Sequence, residues 1–137
     1  MAFQVQKINP LDRQPRKAVG VSLPFSGRAV FNSTYQTKDA IKTNLLNFFL
    51  TGRGERVFNP TFGAGLRNLF FENITQSRIE QIKDIITDNL QLYFPRVIVR
   101  ELTINATPDT NTISFYLKYA ISETNATGEE LIIAFEQ

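Results

Sequence analysis

The 137-residue chain contains no cysteine, no histidine and no tryptophan, and a single methionine. Without cysteine there is no disulfide, no thiolate nucleophile and none of the usual zinc sites. Without histidine the commonest general base near neutral pH and the commonest transition-metal ligand are also missing. No cofactor is expected, although carboxylate, lysine, tyrosine or Ser–Lys chemistry and oxygen-ligated Mg or Ca remain open. No stretch approaches the ~18–20 consecutive apolar residues that cross a bilayer. The opening MAFQVQKINP lacks the basic-then-apolar layout of a secretion signal. No membrane partner is expected, and the chain is expected to be made and used from a cytoplasm.

What is present suits one compact domain: 42% of residues are hydrophobic and 20% charged, enough for a modest core and too little for two. The net charge of +2 is unevenly spread. Residues 1–36 carry Lys7, Arg13, Arg16, Lys17 and Arg28 against Asp12 alone, while residues 37–137 are slightly acidic. This divides the chain into an extended basic N-terminal arm, 1–36, and a single domain, 37–137. Such an arm either touches an acidic neighbour or is a solvated tail.

Pro10 and Pro15 and the lack of periodicity make residues 1–17 read as extended, and residues 18–36 favour one or two short strands or an irregular wrap. Thr37 is placed to cap a helix, with Asp39 favourable to its dipole. Ile41, Leu45, Phe48 and Phe49 then recur at helical spacing until Gly52 and Gly54. The segment GERVFNPTFGAGLRNLFFEN follows, with turns at Pro60, Gly63 and Gly65 and apolar anchors at Phe58, Phe62, Leu66 and Phe70. So many aromatics mark an ordered loop rather than a linker. Ser77 and Glu80 form a capping box for a second helix, whose stripe of Ile79, Ile82, Ile86, Leu90 and Tyr93 reads as a core face.

After Pro95, three strands are expected, over 97–106, 112–122 and the segment from Leu131 to Phe135. In the second, Ile113, Phe115, Leu117, Tyr119 and Ile121 alternate with polar residues. The fold class is α+β: two main helices packed on a C-terminal antiparallel three-stranded β-meander. An edge strand of a meander carries unpaired N–H and C=O groups. Glu129 and Glu130 precede Leu131, Ile132, Ile133, Ala134 and Phe135, which are otherwise unprotected. That edge is open to β-augmentation by another chain, or residues 18–36 cover it within the same chain.

Catalytic constellations are absent. A glycosidase needs two carboxylates ~5–10 Å apart, and nothing in the spacing of Glu55, Glu72 and Glu80 forces such a pair. The glycines of GRGER and FGAGL match neither the P-loop nor the dinucleotide fingerprint. Lysine and arginine are dispersed, so no nucleic-acid partner is expected.

The helix ending in Thr51 and Gly54, the run Arg56, Phe58, Pro60, Phe62, Gly63, and the closing Leu66, Leu69, Phe70, Phe71 and Glu72 resemble the signature of the baseplate wedge and sheath-initiator family of contractile tails. Relatives of that family serve type VI secretion and extracellular injection systems. The resemblance covers roughly residues 37–136. It implies a structural subunit of the virion's tail baseplate that sits against a helical bundle of larger wedge proteins. It also implies a sheet on which the first ring of tail sheath is templated by strand exchange. The implied bundle-facing residues are Arg56, Asn59, Pro60, Phe62, Gly63, Leu66, Pro95 and Arg96, and the implied sheath edge is Leu131 to Phe135. The basic arm would wrap a neighbour such as a tube or hub protein. The family often carries Glu-Pro-Arg after the second helix; here Phe94 stands in place of the acid, so that contact is apolar or another acid such as Glu101 substitutes. Some members carry a lysozyme-like label. A peptidoglycan hydrolase with paired carboxylates, or another sheath or tube adaptor, are the alternatives.

Overall fold

The computed structural model describes residues 10–13, 17–23, 32–71, 74–110, 112–122 and 127–136. Element order is a 3-10 turn (Pro10–Arg13), β1 (Gly20–Val21), β2 (Ser33–Thr34), α1 (Thr37–Leu50), a second 3-10 turn (Leu66–Phe71), α2 (Gln76–Tyr93), β3 (Val97–Thr107), β4 (Thr112–Ile121) and β5 (Thr127–Glu136). The chain is α+β, with two helices and an antiparallel sheet in the order β3-β4-β5.

β4 is central because its alternation is the cleanest. Ile113, Phe115, Leu117, Tyr119 and Ile121 are buried, while the residues between Thr112 and Lys118 on the other face are only half covered. β3 changes phase on the way. Val97 and Val99 point inward, a bulge lies between Val99 and Glu101, and Leu102, Ile104 and Ala106 then take over the inward face. The extra residue resets the parity and leaves Arg100 and Glu101 exposed. A second irregularity, at Tyr119/Ala120 against β5, coincides with the positive φ of Gly128.

Leu45, Phe48 and Phe49 of α1 and Ile82, Ile86 and Leu90 of α2 meet the inner face of this sheet in one cluster. The stripe of α2 is therefore a core face, as its periodicity predicts. Each such side chain contributes about 1.5–3 kcal/mol by leaving water.

Both helix starts differ from expectation. The α1 N-cap is Gln36, which makes no side-chain cap. Thr37 receives its cap from the arm: its backbone N–H and its hydroxyl both donate to Asp12 Oδ1, each at 2.7 Å. A carboxylate 25 residues upstream thus satisfies the first turn and complements its dipole. The turn containing Asp12 is 3-10 and not extended. α2 begins two residues before the expected box: Thr75 is the N-cap and accepts from the Arg78 N–H at 3.3 Å, leaving Ser77 and Glu80 exposed.

β1 and β2 form a two-stranded antiparallel ladder, Gly20 opposite Thr34 and Val21 opposite Ser33, packed against α1. They do not pair with β5. Among the described residues no strand covers the outer edge of β5.

Candidate functional site

Two surfaces emerge, one built by side chains and one by backbone. The first begins where α1 ends. Thr51 caps the helix through Asn47 O, and the chain returns so that the Ala64 N–H bonds Phe48 O at 3.1 Å and the Gly65 N–H bonds Thr51 O at 3.3 Å. These bonds satisfy carbonyls that the helix end leaves open. Gly63 sits in this return at φ +116°, where a Cβ would lie 2.5 Å from Thr51 O. Only glycine fits there without displacing backbone.

Phe62, 6% exposed, then packs edge-on against Phe48 and Tyr93 at ring separations of 5.3 and 5.1 Å. Phe94 joins the cluster edge-on to Phe48 at 5.8 Å. Polar contacts fasten the same seam: Tyr93 OH donates to Asn59 Oδ1 at 3.2 Å and lies 2.7 Å from Thr61 Oγ1. The loop and the C-terminal end of α2 are thereby locked together. Asn59, Pro60 and Phe62 stand beside Tyr93 and Phe94, which lead directly into Pro95 and Arg96.

Within this group the roles divide by exposure. Phe62, Gly63 and Leu66 are buried and set the shape of the loop, while Arg56, Pro60, Pro95 and Arg96 reach solvent and Asn59 is half-buried. The Arg56 guanidinium lies over the Phe62 ring, 3.8 Å from its centroid. Phe94 is half-buried and packs on the aromatic cluster through Phe48. The anchors expected at Phe58, Phe62, Leu66 and Phe70 also divide, with the Phe70 side chain outside the described residues. Phe62 and Leu66 are buried, but Phe58 is fully exposed, because the turn from Arg56 to Asn59 points it away from the core.

The second surface is the free edge of β5. Leu131 and Ile133 face the core while Ile132, 68% exposed, and Ala134 face out. The backbone of Phe135 pairs with Ile113 of β4. A groove of about 670 Å³ runs between Leu131 and a far bank made by Ser33 and Thr34 of β2 with Asp39, Lys42 and Leu46 of α1. Tyr119 is fully buried in the central strand and its hydroxyl has no hydrogen-bond partner among the described residues. Its pKa is pushed up to about 12, chiefly by burial and then by the charges of Glu129 and Asp39.

Glu55 and Glu80 are exposed, on different elements, and Glu72 lies outside the described residues. Among the described residues the groove is lined by a single carboxylate, Asp39. Among the described residues no three acidic side chains gather as cation ligands would.

A stiffened loop on one side and a free strand edge on the other are the surfaces of a protein that docks to others. The sequence profile of the baseplate wedge protein gp25 family matches residues 35–126, and the chain belongs to that family. It is thus a component of the tail baseplate of contractile phages and related injection machines. The baseplate wedge protein gp25 of Enterobacteria phage T4 is 30% identical over 84 residues, spanning 60% of this chain and 62% of that protein. The match therefore covers less than two thirds of that relative's length. Among solved structures, a protein described as a tail lysozyme from Geobacter sulfurreducens superposes with a TM-score of 0.64 at 24% identity, covering 75% of this chain and 93% of that one. A chain of the type VI secretion baseplate complex does so with a TM-score of 0.54 at 16% identity, covering 70% and 89%. A chain of the anti-feeding prophage baseplate gives 0.52 at 21% identity, covering 84% and 82%. At these identities the likeness is one of fold.

Proposed function

We propose that this chain is a non-enzymatic wedge subunit. In this reading the loop from Arg56 to Leu66, with Pro95 and Arg96, holds the helical bundle of the larger wedge proteins, and the β5 edge templates the first ring of tail sheath. The observation that carries the reading is that, among the described residues, no strand pairs with the outer edge of β5, which lies beside a groove. An added strand would satisfy its own backbone on that edge and send alternate side chains into the groove. The basic segment 1–36 is proposed to touch an acidic neighbour such as a tube or hub protein, given five basic residues against one acidic.

The hydrolase alternative draws no support from the described carboxylates, and Glu72 lies outside the described residues. Glu55 and Glu80 are exposed and lie on different elements. Among the described residues the groove offers one carboxylate where glycoside hydrolysis uses two.

The test is co-expression with the neighbouring wedge and sheath genes, scored by co-purification and sheath seeding, with peptidoglycan release assayed on the same preparation. Arg96→Glu is expected to weaken wedge co-purification with the fold intact; unchanged recovery removes Arg96 from the interface. Successive residues of a strand aim their N–H groups at opposite edges, so either Ile132→Pro or Ile133→Pro strikes the free edge. That variant should fold, bind wedge and fail to seed sheath. Normal sheaths on both folded variants would sink the strand-pairing role.

A further inference from the structure

The Val57–Phe58 tip has no role in the fold. Val57 is 87% exposed and Phe58 fully so, yet the two sit in the same loop as the buried Phe62. Both flanks are rigid. The Gly54 N–H bonds Pro60 O at 2.8 Å, and the Asn59 N–H closes the turn on Arg56 O at 3.3 Å. Arg56 is stacked on Phe62 and Asn59 is tied to Tyr93. A rigid projecting aromatic loses little conformational freedom when it binds, which is the property of an interface anchor. Its surroundings are positive: Arg53, Arg56 and Arg67 are exposed along the loop against Glu55.

We propose that the Val57–Phe58 turn is a plug that inserts into an apolar, carboxylate-rimmed cleft between helices of a neighbouring wedge protein, with Arg53 and Arg56 meeting the rim. This rests on the wedge-binding reading above and names the chemistry of that partner. The aromatic supplies buried area at the centre, and the guanidiniums supply register and association rate at the edge.

The experiment measures binding of the full-length chain to the purified complex of the co-expressed large wedge proteins, for the parent, Phe58→Ser, Phe58→Leu and Arg53→Glu/Arg56→Glu. Phe58 touches no core residue, so Phe58→Ser should melt with the parent. It should bind about thirty-fold more weakly, the loss typical of a central aromatic anchor. Phe58→Leu should retain most of the affinity, and the double charge reversal should slow association and flatten its salt dependence. Parental affinity for Phe58→Ser overturns the plug and leaves the wedge reading standing; a parent that ignores the wedge complex overturns both. Phe58-dependent binding to vesicles containing anionic lipid instead of the wedge complex would give the tip to a membrane surface. A Phe58-dependent dimer in sedimentation would give it to a second copy of this chain. Either result overturns the proposal.

Discussion

The loop around Phe62 and the edge of β5 both face outward, but they are made specific in opposite ways. The loop is held by side chains: aromatic rings packed edge-on, a cation over a ring, a tyrosine hydroxyl on an asparagine. A change of one residue there alters what a partner meets. The β5 edge offers backbone groups that any strand could use, and its selectivity must come from the groove beside it, whose far bank belongs to α1 and the short β1–β2 ladder. In the proposed roles, the loop would recognise by identity and the edge by shape.

The comparison breaks most visibly at Phe62. Truncation to alanine removes a buried ring that holds Phe48, Tyr93 and Arg56 together. Phe62→Ala should cost about 3–5 kcal/mol, lowering the melting temperature by about 10 °C or more. Below that temperature wedge binding should fall while sheath seeding by β5 persists. Equal loss of both would show that the two surfaces are not separable. Phe58, four residues earlier and fully exposed, should give the reverse pattern, with affinity lost and melting unchanged.

A smaller effect is expected on the other side. Asp12 accepts both the N–H and the hydroxyl of Thr37, so it pins the N-terminal segment to the start of α1 and helps fix the groove's far bank. Asp12→Ala should cost about 1–2 kcal/mol, the loss expected of a helix cap. Faster amide exchange should be confined to the first turn of α1 and to β1–β2. Exchange that rises equally in the loop around Phe62 would contradict a local role. Sheath seeding should weaken more than wedge binding.

These residues also show how much was legible in the sequence. The stripe on α2 and the alternation of β4 are long, strongly periodic segments, and burial follows them residue by residue. The bulge in β3 was not legible: Val97, Ile98 and Val99 are all apolar, so the change of inward parity shows only once the strand is paired with β4. The Asp12 cap was not legible, because a contact across 25 residues leaves no local pattern. Thr75 and Ser77 both offered a hydroxyl ahead of α2, and the chain's path into the helix decided between them. Phe58 misled for the opposite reason. It has the composition of an anchor, and the structure shows that nothing within the described chain receives it. For the group proposed to face the bundle, the motif marked the loop, but only the fold separates Phe62, Gly63 and Leu66, which are buried, from Arg56, Pro60, Pro95 and Arg96, which meet solvent.

The smallest effect lies beneath the β5 edge. Tyr119 stands opposite Glu129 in register, and its buried hydroxyl has no partner among the described residues. An unpartnered buried hydroxyl is a cost, so Tyr119→Phe should leave stability at neutral pH unchanged or raise it by about 1 kcal/mol. The phenol also links this region to pH. Its pKa is 10.0 in the unfolded chain and about 12 in the folded one, so the folded state holds the proton more tightly. That contribution is complete below pH 10 and is lost as pH rises towards 12. Melting temperatures of the parent should therefore fall across this window, and those of Tyr119→Phe should fall less. A parallel decline in both proteins would assign the alkaline sensitivity elsewhere. If the difference appears, the groove side should loosen before the aromatic loop, because Tyr119 is raised by burial and then by Glu129 and Asp39, an acid of β5 and an acid of the groove's far bank.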